Sequence, residues 1–166
     1  MLNSELLKRI EDLMRHKEVV LGDDSWRRKL PPVPGWYFIK TNTPVEVLAI
    51  LPSSVSKYHY NIPEKTKASL ALEKLGGRII PESKSGYFVY SGEAKNLKAR
   101  AREHFRGHEK TYCLCLEKYK ALESYKWEFH YSEFRPELYP NETKLLRILG
   151  EQLWRAKHGW PILCGK

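Results

Sequence analysis

Apolar residues recur every three to four positions at the start of the chain, at Leu2, Leu6, Ile10 and Leu13. That is the spacing of one helix face, and Asn3 or Ser4 is available to cap its start. The pattern then stops. "LGDDSWRRKLPPVPG" brings in Gly22 and three prolines and reads as an extended linker, so residues 1–34 are expected to form an N-terminal helix and a connection. "GWYFIKT", Gly35–Thr41, and "SGYFVYSG", Ser85–Gly92, are aromatic and β-branched and read as buried strands. An antiparallel pairing suits them, but 44 residues separate Thr41 from Gly86, far more than a hairpin loop holds. Residues 42–85 are therefore expected to be an insertion. Within it "PVEVLAILP" reads as a strand, and "PEKTKASLALEKLGG" as a short helix with Leu70, Leu72 and Leu75 as its apolar positions.

After Gly92 the period changes. "AKNLKARAREHF" is rich in helix formers, with Leu97, Ala101 and His104 or Phe105 on one side. "YKWEFHYSEF" alternates Trp127, Phe129 and Tyr131 with polar neighbours, as a half-exposed strand does. "NETKLLRILGEQLWRAKHG" reads as a last helix, capped by Asn141 and stopped by Gly159. The expected fold is α/β of the α+β kind: a central antiparallel three-stranded sheet flanked by helices, in one domain over residues 1–166.

Charge narrows the partners. The chain carries 29 Lys and Arg against 20 Asp and Glu, a net charge of +9. Such a surface attracts polyanions, which makes nucleic acid the first partner to test. The amphipathic opening segment is neither a signal peptide nor a membrane span, so a cytoplasmic protein without membrane association is expected. Cys113 and Cys115 sit where a strand would put both sulfurs on one face, but no second Cys or His pair at zinc spacing accompanies them. With Cys164 they read as structural thiols. Arg27 to Lys29 and Arg106 to Lys110 read as solvated charge that can also clamp a nucleic-acid backbone. Trp26, Tyr58, His59 and Tyr60 read as packing residues, with contact to bases as the alternative.

The chain resembles the GIY-YIG nuclease superfamily over most of Gly35–Thr41 and Gly86–Pro161. Gly35-Trp36-Tyr37 stands where that family has GIY, and Tyr90-Ser91-Gly92 where it has YIG. "EAKNLKARAREHF" is similar to the family's "KAKNLKKRLxxHF", with the same ten-residue step from tyrosine to arginine. The resemblance implies Arg100 and His104 as catalytic residues on one helix face, and Glu151 of "EQLW" as the metal-binding glutamate, with Glu142 as the fallback. It implies Tyr37 as the residue that activates water and Tyr90 as the one that orients water or phosphate. Lys98 and Arg102 fall off this face. Lys95, Asn96 and Arg106 are expected to contact nucleic acid. Three features depart from the family: Trp36 and Ser91 in the middle of the motifs, the long insertion, and Leu163 or Cys164 where the family often places an Asn.

The chemistry suits these residue types. A carboxylate such as Glu151 can hold one Mg²⁺ or Mn²⁺ whose other ligands are water and substrate. An arginine stays charged and presents a fork to phosphate. A tyrosine is a poor base unless nearby cations lower its pKa, and Lys95, Arg100 and His104 are the expected source of that field. Taken singly, Arg100 is an ordinary surface cation, and Glu151 an ordinary partner for Arg147 or Arg155 at four-residue spacing. Their order and spacing single them out. The function implied is a metal-dependent endonuclease acting on DNA, restriction-like or repair-like, against the alternative of a non-catalytic nucleic-acid-binding module.

Overall fold

The computed structural model describes residues 2–135, 137 and 144–164 of the chain. In order these form α1 (Leu2–Asp12), β1 (Arg15–Val19), a short α2 (Ser25–Arg28), β2 (Gly35–Thr41), α3 (Val45–Ala49) and α4 (Ile62–Lys74). There follow β3 (Tyr87–Ala94), α5 (Leu97–Arg106), β4 (Trp127–Glu133) and α6 (Lys144–His158), with a final 3-10 turn at Ile162–Cys164. The fold is α+β. Among the described residues the sheet has four antiparallel strands in the order β1-β4-β2-β3.

The expected three-stranded sheet is thus corrected to four. The added strand, β1, reads Arg-His-Lys-Glu-Val and buries only Val19, so it carries no apolar alternation to detect. Its polarity is that of an edge strand, where charge discourages pairing with other chains. The two motif strands pair as expected, Gly35 opposite Ala94 and Tyr37 opposite Gly92, with a register shift between Ile39 and Lys40. β2 lies between β3 and β4, and so every residue of the first motif has a neighbour on both sides.

The sheet packs on both faces. Trp36 and Phe38 point into one cluster with Leu6 and Ile10 of α1 and Trp154 of α6. Tyr37 and Ile39 point the other way, into a larger cluster with Leu97, Ala101 and Phe105 of α5. The helical periodicity of α1 and α5 and the alternation along β4 are borne out by these buried sets.

Several expectations inside the segments are corrected. "PVEVLAILP" forms no strand; its centre is α3, with Pro44 at the N-cap and the Val45 N–H donating to Glu82 Oε2 at 2.7 Å. That long-range cap and the proline outweigh β-branched propensity. The helix in "PEKTKASLALEKLGG" forms, capped by Asn61 Oδ1, but its buried side is Ile62, Pro63, Thr66 and Ser69. Ser69 Oγ donates to Ile162 O at 2.6 Å, so α4 docks by a mixed face of Ile62, Pro63, Thr66 and Ser69, with Leu70 packed beside it, while Leu75 stays 85 % exposed. α1 already begins at Leu2, which puts Asn3 and Ser4 inside its first turn, not at a cap. Cys113 makes only an isolated bridge with His59, and Cys115 has a left-handed φ of +51°, so no strand aligns their sulfurs. Arg27 is buried against Asp24, not solvated. Gly159 at φ +101° does end α6, and the cap expected at Asn141 lies outside the described residues.

Candidate active site

The two motif glycines are required by close approach. A Cβ at Gly35 would lie 2.3 Å from the Ser132 carbonyl oxygen on β4. A Cβ at Gly92 would lie 2.3 Å from Tyr37 Oη and 2.4 Å from its Cζ. The Tyr37 ring therefore lies directly across the bare backbone of β3. It also stacks on Phe129, ring centroids 5.6 Å apart and 10° from parallel.

Arg100 and His104, one turn apart on α5, both reach this ring. Arg100 Nε donates to Tyr37 Oη at 3.1 Å, and His104 Nε2 lies 2.8 Å from the same oxygen. The Leu114 N–H donates to His104 Nδ1, so a neutral imidazole carries its proton on Nε2 and donates it to Tyr37. Asn96 fixes the start of α5 by accepting from the Ala99 N–H at 2.9 Å. Tyr90 completes the group, its ring 4.6 Å from that of His104. Residues 63 and 67 positions beyond Tyr37 thus meet at its phenolic oxygen.

Burial sets the protonation states. It pushes the Tyr37 phenol well up in spite of Arg100 nearby, and pushes Tyr90 up likewise. His104, fully enclosed and facing the Arg100 charge, is driven well below the usual imidazole range. The expected positive field from His104 is therefore corrected: it is neutral at neutral pH and offers only an N–H dipole. Burial works against the Arg100 charge too, but Tyr37 and Glu103 outweigh it and hold the guanidinium protonated. One of its nitrogens, Nη1, is already engaged by Glu103 at 2.6 Å.

Glu151 approaches from the other face of the sheet. Ser91 and Glu93 stand opposite Phe38 and Trp36, so they share the α6 side of β3. Gly150 lets α6 come close, since a Cβ there would meet Trp36 Nε1 at 2.5 Å. Glu151 is buried and ion-paired with Arg155, which itself donates to Ser91 Oγ at 2.8 Å. Burial raises the Glu151 carboxyl; Arg155 opposes this and the negative charge of Glu93 adds to it. The same Glu151 charge acts on Tyr37, so the two sides of β3 communicate electrostatically. Glu142, the fallback, lies outside the described residues.

Lys95 and Asn96 border a cleft of about 540 Å³ together with Glu93, Arg100, Lys144 and Arg147. Arg106 sits at the far end of α5, ion-paired with Asp24 at 2.8 Å. Arg28, Lys98 and Arg102 border a second cleft of about 340 Å³ that shares Asn96 and Ala99 with the first. Leu163 is buried, and Cys164 Sγ accepts from the outward-facing Ser91 N–H at 3.4 Å on the edge strand. The position expected to lack its Asn thus holds a thiol that seals β3.

Four residues escaped the sequence reading as site members: Glu93, Glu103, Arg147 and Arg155. Arg147 Nε donates to Glu93 Oε2 at 2.8 Å, so each carboxylate near the site has its own arginine. Glu93 was detectable by strand alternation, being two residues from Ser91 and on the face opposite Tyr90. Among the described residues, no three His, Cys, Asp or Glu side chains gather as a metal-ligand group. No helix there is long and apolar enough to cross a membrane. Compared with protein-family models, curated proteins and solved structures, the chain matches none of them.

Proposed function

We propose that this protein is a metal-dependent endonuclease that hydrolyses phosphodiester bonds in DNA, built as a GIY-YIG-type nuclease. The observation that carries this reading is the convergence of Arg100 and His104 on Tyr37 Oη across Gly92, with Glu151 in electrostatic reach. A purely structural tyrosine needs no cation fixed at its oxygen. The order of the motif strands, α5, β4 and α6 agrees with the family resemblance, with β1 and residues 42–85 added to it.

The residues divide the work by their chemistry. Tyr37 serves as the base in its phenolate form, which first releases its own proton to solvent and then takes one from the attacking water; two N–H donors at Oη favour that form and burial opposes it. His104 and Arg100 hold that oxygen in place, and Arg100 offers its free Nη2 edge to a phosphate oxygen. Tyr90 confines the water. A hard divalent cation takes oxygen ligands, and on the α6 side Glu151 would hold it in place of its ion pair with Arg155. When bound, Mg²⁺ or Mn²⁺ supplies neutralisation of the phosphate and of the leaving oxygen. The two adjoining clefts with Lys95, Arg28, Lys98 and Arg102 give a polyanion a continuous positive track.

One feature favours a second reading. Arg155 already neutralises Glu151 and Glu103 already occupies Arg100, the self-paired state expected of a binding module that does not turn over. Nicking of labelled DNA in Mg²⁺ or Mn²⁺ separates the two. The nuclease reading predicts metal-dependent nicks lost in Arg100→Ala and Glu151→Ala; salt-dependent binding with no nicks in any metal supports the module.

A further inference from the structure

Beyond the catalytic group a chain of aromatic rings leads outward, and neither the fold nor the hydrolytic site explains its exposure. Tyr60 lies 6.2 Å from Tyr90, Tyr112 stacks on Tyr60 at 5.8 Å and 23°, and Tyr58 meets Tyr112 edge-on at 5.9 Å. The far end is open: Tyr112 is 55 % exposed, and Tyr58 and Tyr60 are half-buried. The arrangement is braced by backbone. Tyr60 N–H donates to Cys113 O at 2.8 Å and Cys113 N–H to Tyr58 O at 3.0 Å, which ties residues 58–60 of the insertion to residues 112–113 after α5. Cations attend the rings, with Lys65 Nζ 4.5 Å from the centre of Tyr60 and Lys57 Nζ 4.9 Å from that of Tyr58. Lys118 Nζ lies beside His59 at 3.5 Å and adds to the same positive edge.

We infer that Tyr58, Tyr60 and Tyr112 form a stacking platform for unpaired bases of a nucleic-acid strand whose backbone enters the site at Arg100. Rigid, exposed aromatic rings flanked by lysines match the chemistry of single strands, whose bases have free π-faces and whose phosphates need cations. A duplex has its base faces covered and gains nothing from such rings. An apolar protein partner is disfavoured by the attending lysines. The substrate class is then a strand with unpaired bases next to the cleaved bond, such as a single strand or a flap. This substrate assignment rests on the nuclease reading, whereas the stacking itself does not.

The test is anisotropy of a labelled oligothymidine and of a labelled duplex of equal length, in EDTA so that no cleavage intervenes. Wild type is expected to prefer the single strand. Tyr112→Ala is expected to weaken it roughly 5- to 100-fold, the loss of one stacked base, and to leave the duplex within about twofold. Tyr112→Phe keeps the π-face and retains binding. Because Tyr112 is on the surface, both variants are expected to melt with the wild type. Unchanged single-strand affinity in Tyr112→Ala, or an equal loss on both probes, overturns the inference. Cleavage in Mg²⁺ reports separately. Tyr112-dependent binding with no cleavage sinks the nuclease reading and leaves the platform standing, and cleavage dependent on Arg100 and Glu151 with no role for Tyr112 does the reverse.

Discussion

Gly92→Ala adds a single methyl, and the geometry fixes where it goes. The new Cβ would sit 2.3 Å from Tyr37 Oη, 2.4 Å from Cζ and 2.7 Å from Cε1. Ordinary contact begins near 3.4 Å, so the ring has to retreat by about 1 Å. Phe129 and Tyr90, both stacked on the Tyr37 ring at 5.6 and 6.1 Å, crowd that retreat. The ring therefore tilts and loses its bonds to Arg100 and His104, at 3.1 and 2.8 Å. Overpacking of a core costs roughly 1–3 kcal/mol, and two lost bonds, one of them from a charged donor, add about as much. A net destabilisation of roughly 2–6 kcal/mol follows, or about 4–24 °C in Tm for a chain of this size. Urea denaturation of Gly92→Ala, Tyr37→Ala and the double variant measures it. In the Tyr37→Ala background the methyl meets no ring, and its cost is expected to fall to about 0.5 kcal/mol or less. If Gly92→Ala is as stable as wild type, or costs the same with and without the Tyr37 ring, the close-approach account is wrong.

Other consequences follow from the same oxygen. Tyr37→Phe removes the acceptor for two buried N–H groups, and stability is expected to fall by about 1–3 kcal/mol; a variant as stable as wild type in urea contradicts the bonding described. His104 is neutral when folded, whereas in the unfolded chain it takes up a proton below its usual value of 6.5. Its contribution is therefore complete above that pH and is lost as the pH falls below it. Between pH 7.5 and 5.5 this amounts to about 1 kcal/mol, read as the difference between wild type and His104→Gln; identical pH dependence in the two proteins refutes it.

What the sequence made legible was what local periodicity carries. β4, α5 and α6 announce themselves because each buries one regular stripe, β2 because it is a short aromatic and β-branched run buried on both faces, and Gly159 marks a helix end by local chemistry. β1 did not, because an edge strand with one buried residue has no stripe. α3 and the docking of α4 through Ser69 were hidden for a different reason: Glu82 caps the one and Ile162 receives the other, contacts made across 37 and 93 positions. At the site, the resemblance, carried by the ten-residue step from Tyr90 to Arg100 and the four-residue step to His104, implied that these three residues come together. The neutrality of His104 and the pairing of Glu93 with Arg147 depend on burial and on the strand register, which only the folded chain supplies.

The most direct measurement is single-turnover cleavage by the purified protein on a DNA panel of duplex, single strand and flapped duplex, with Mg²⁺ or with EDTA. The account predicts metal-dependent scission on at least one substrate, slowed roughly 100-fold or more in Arg100→Ala and in Glu151→Gln while both variants stay folded. Cleavage at the wild-type rate in both variants, or none by the wild type on any substrate in Mg²⁺ or Mn²⁺, would contradict it.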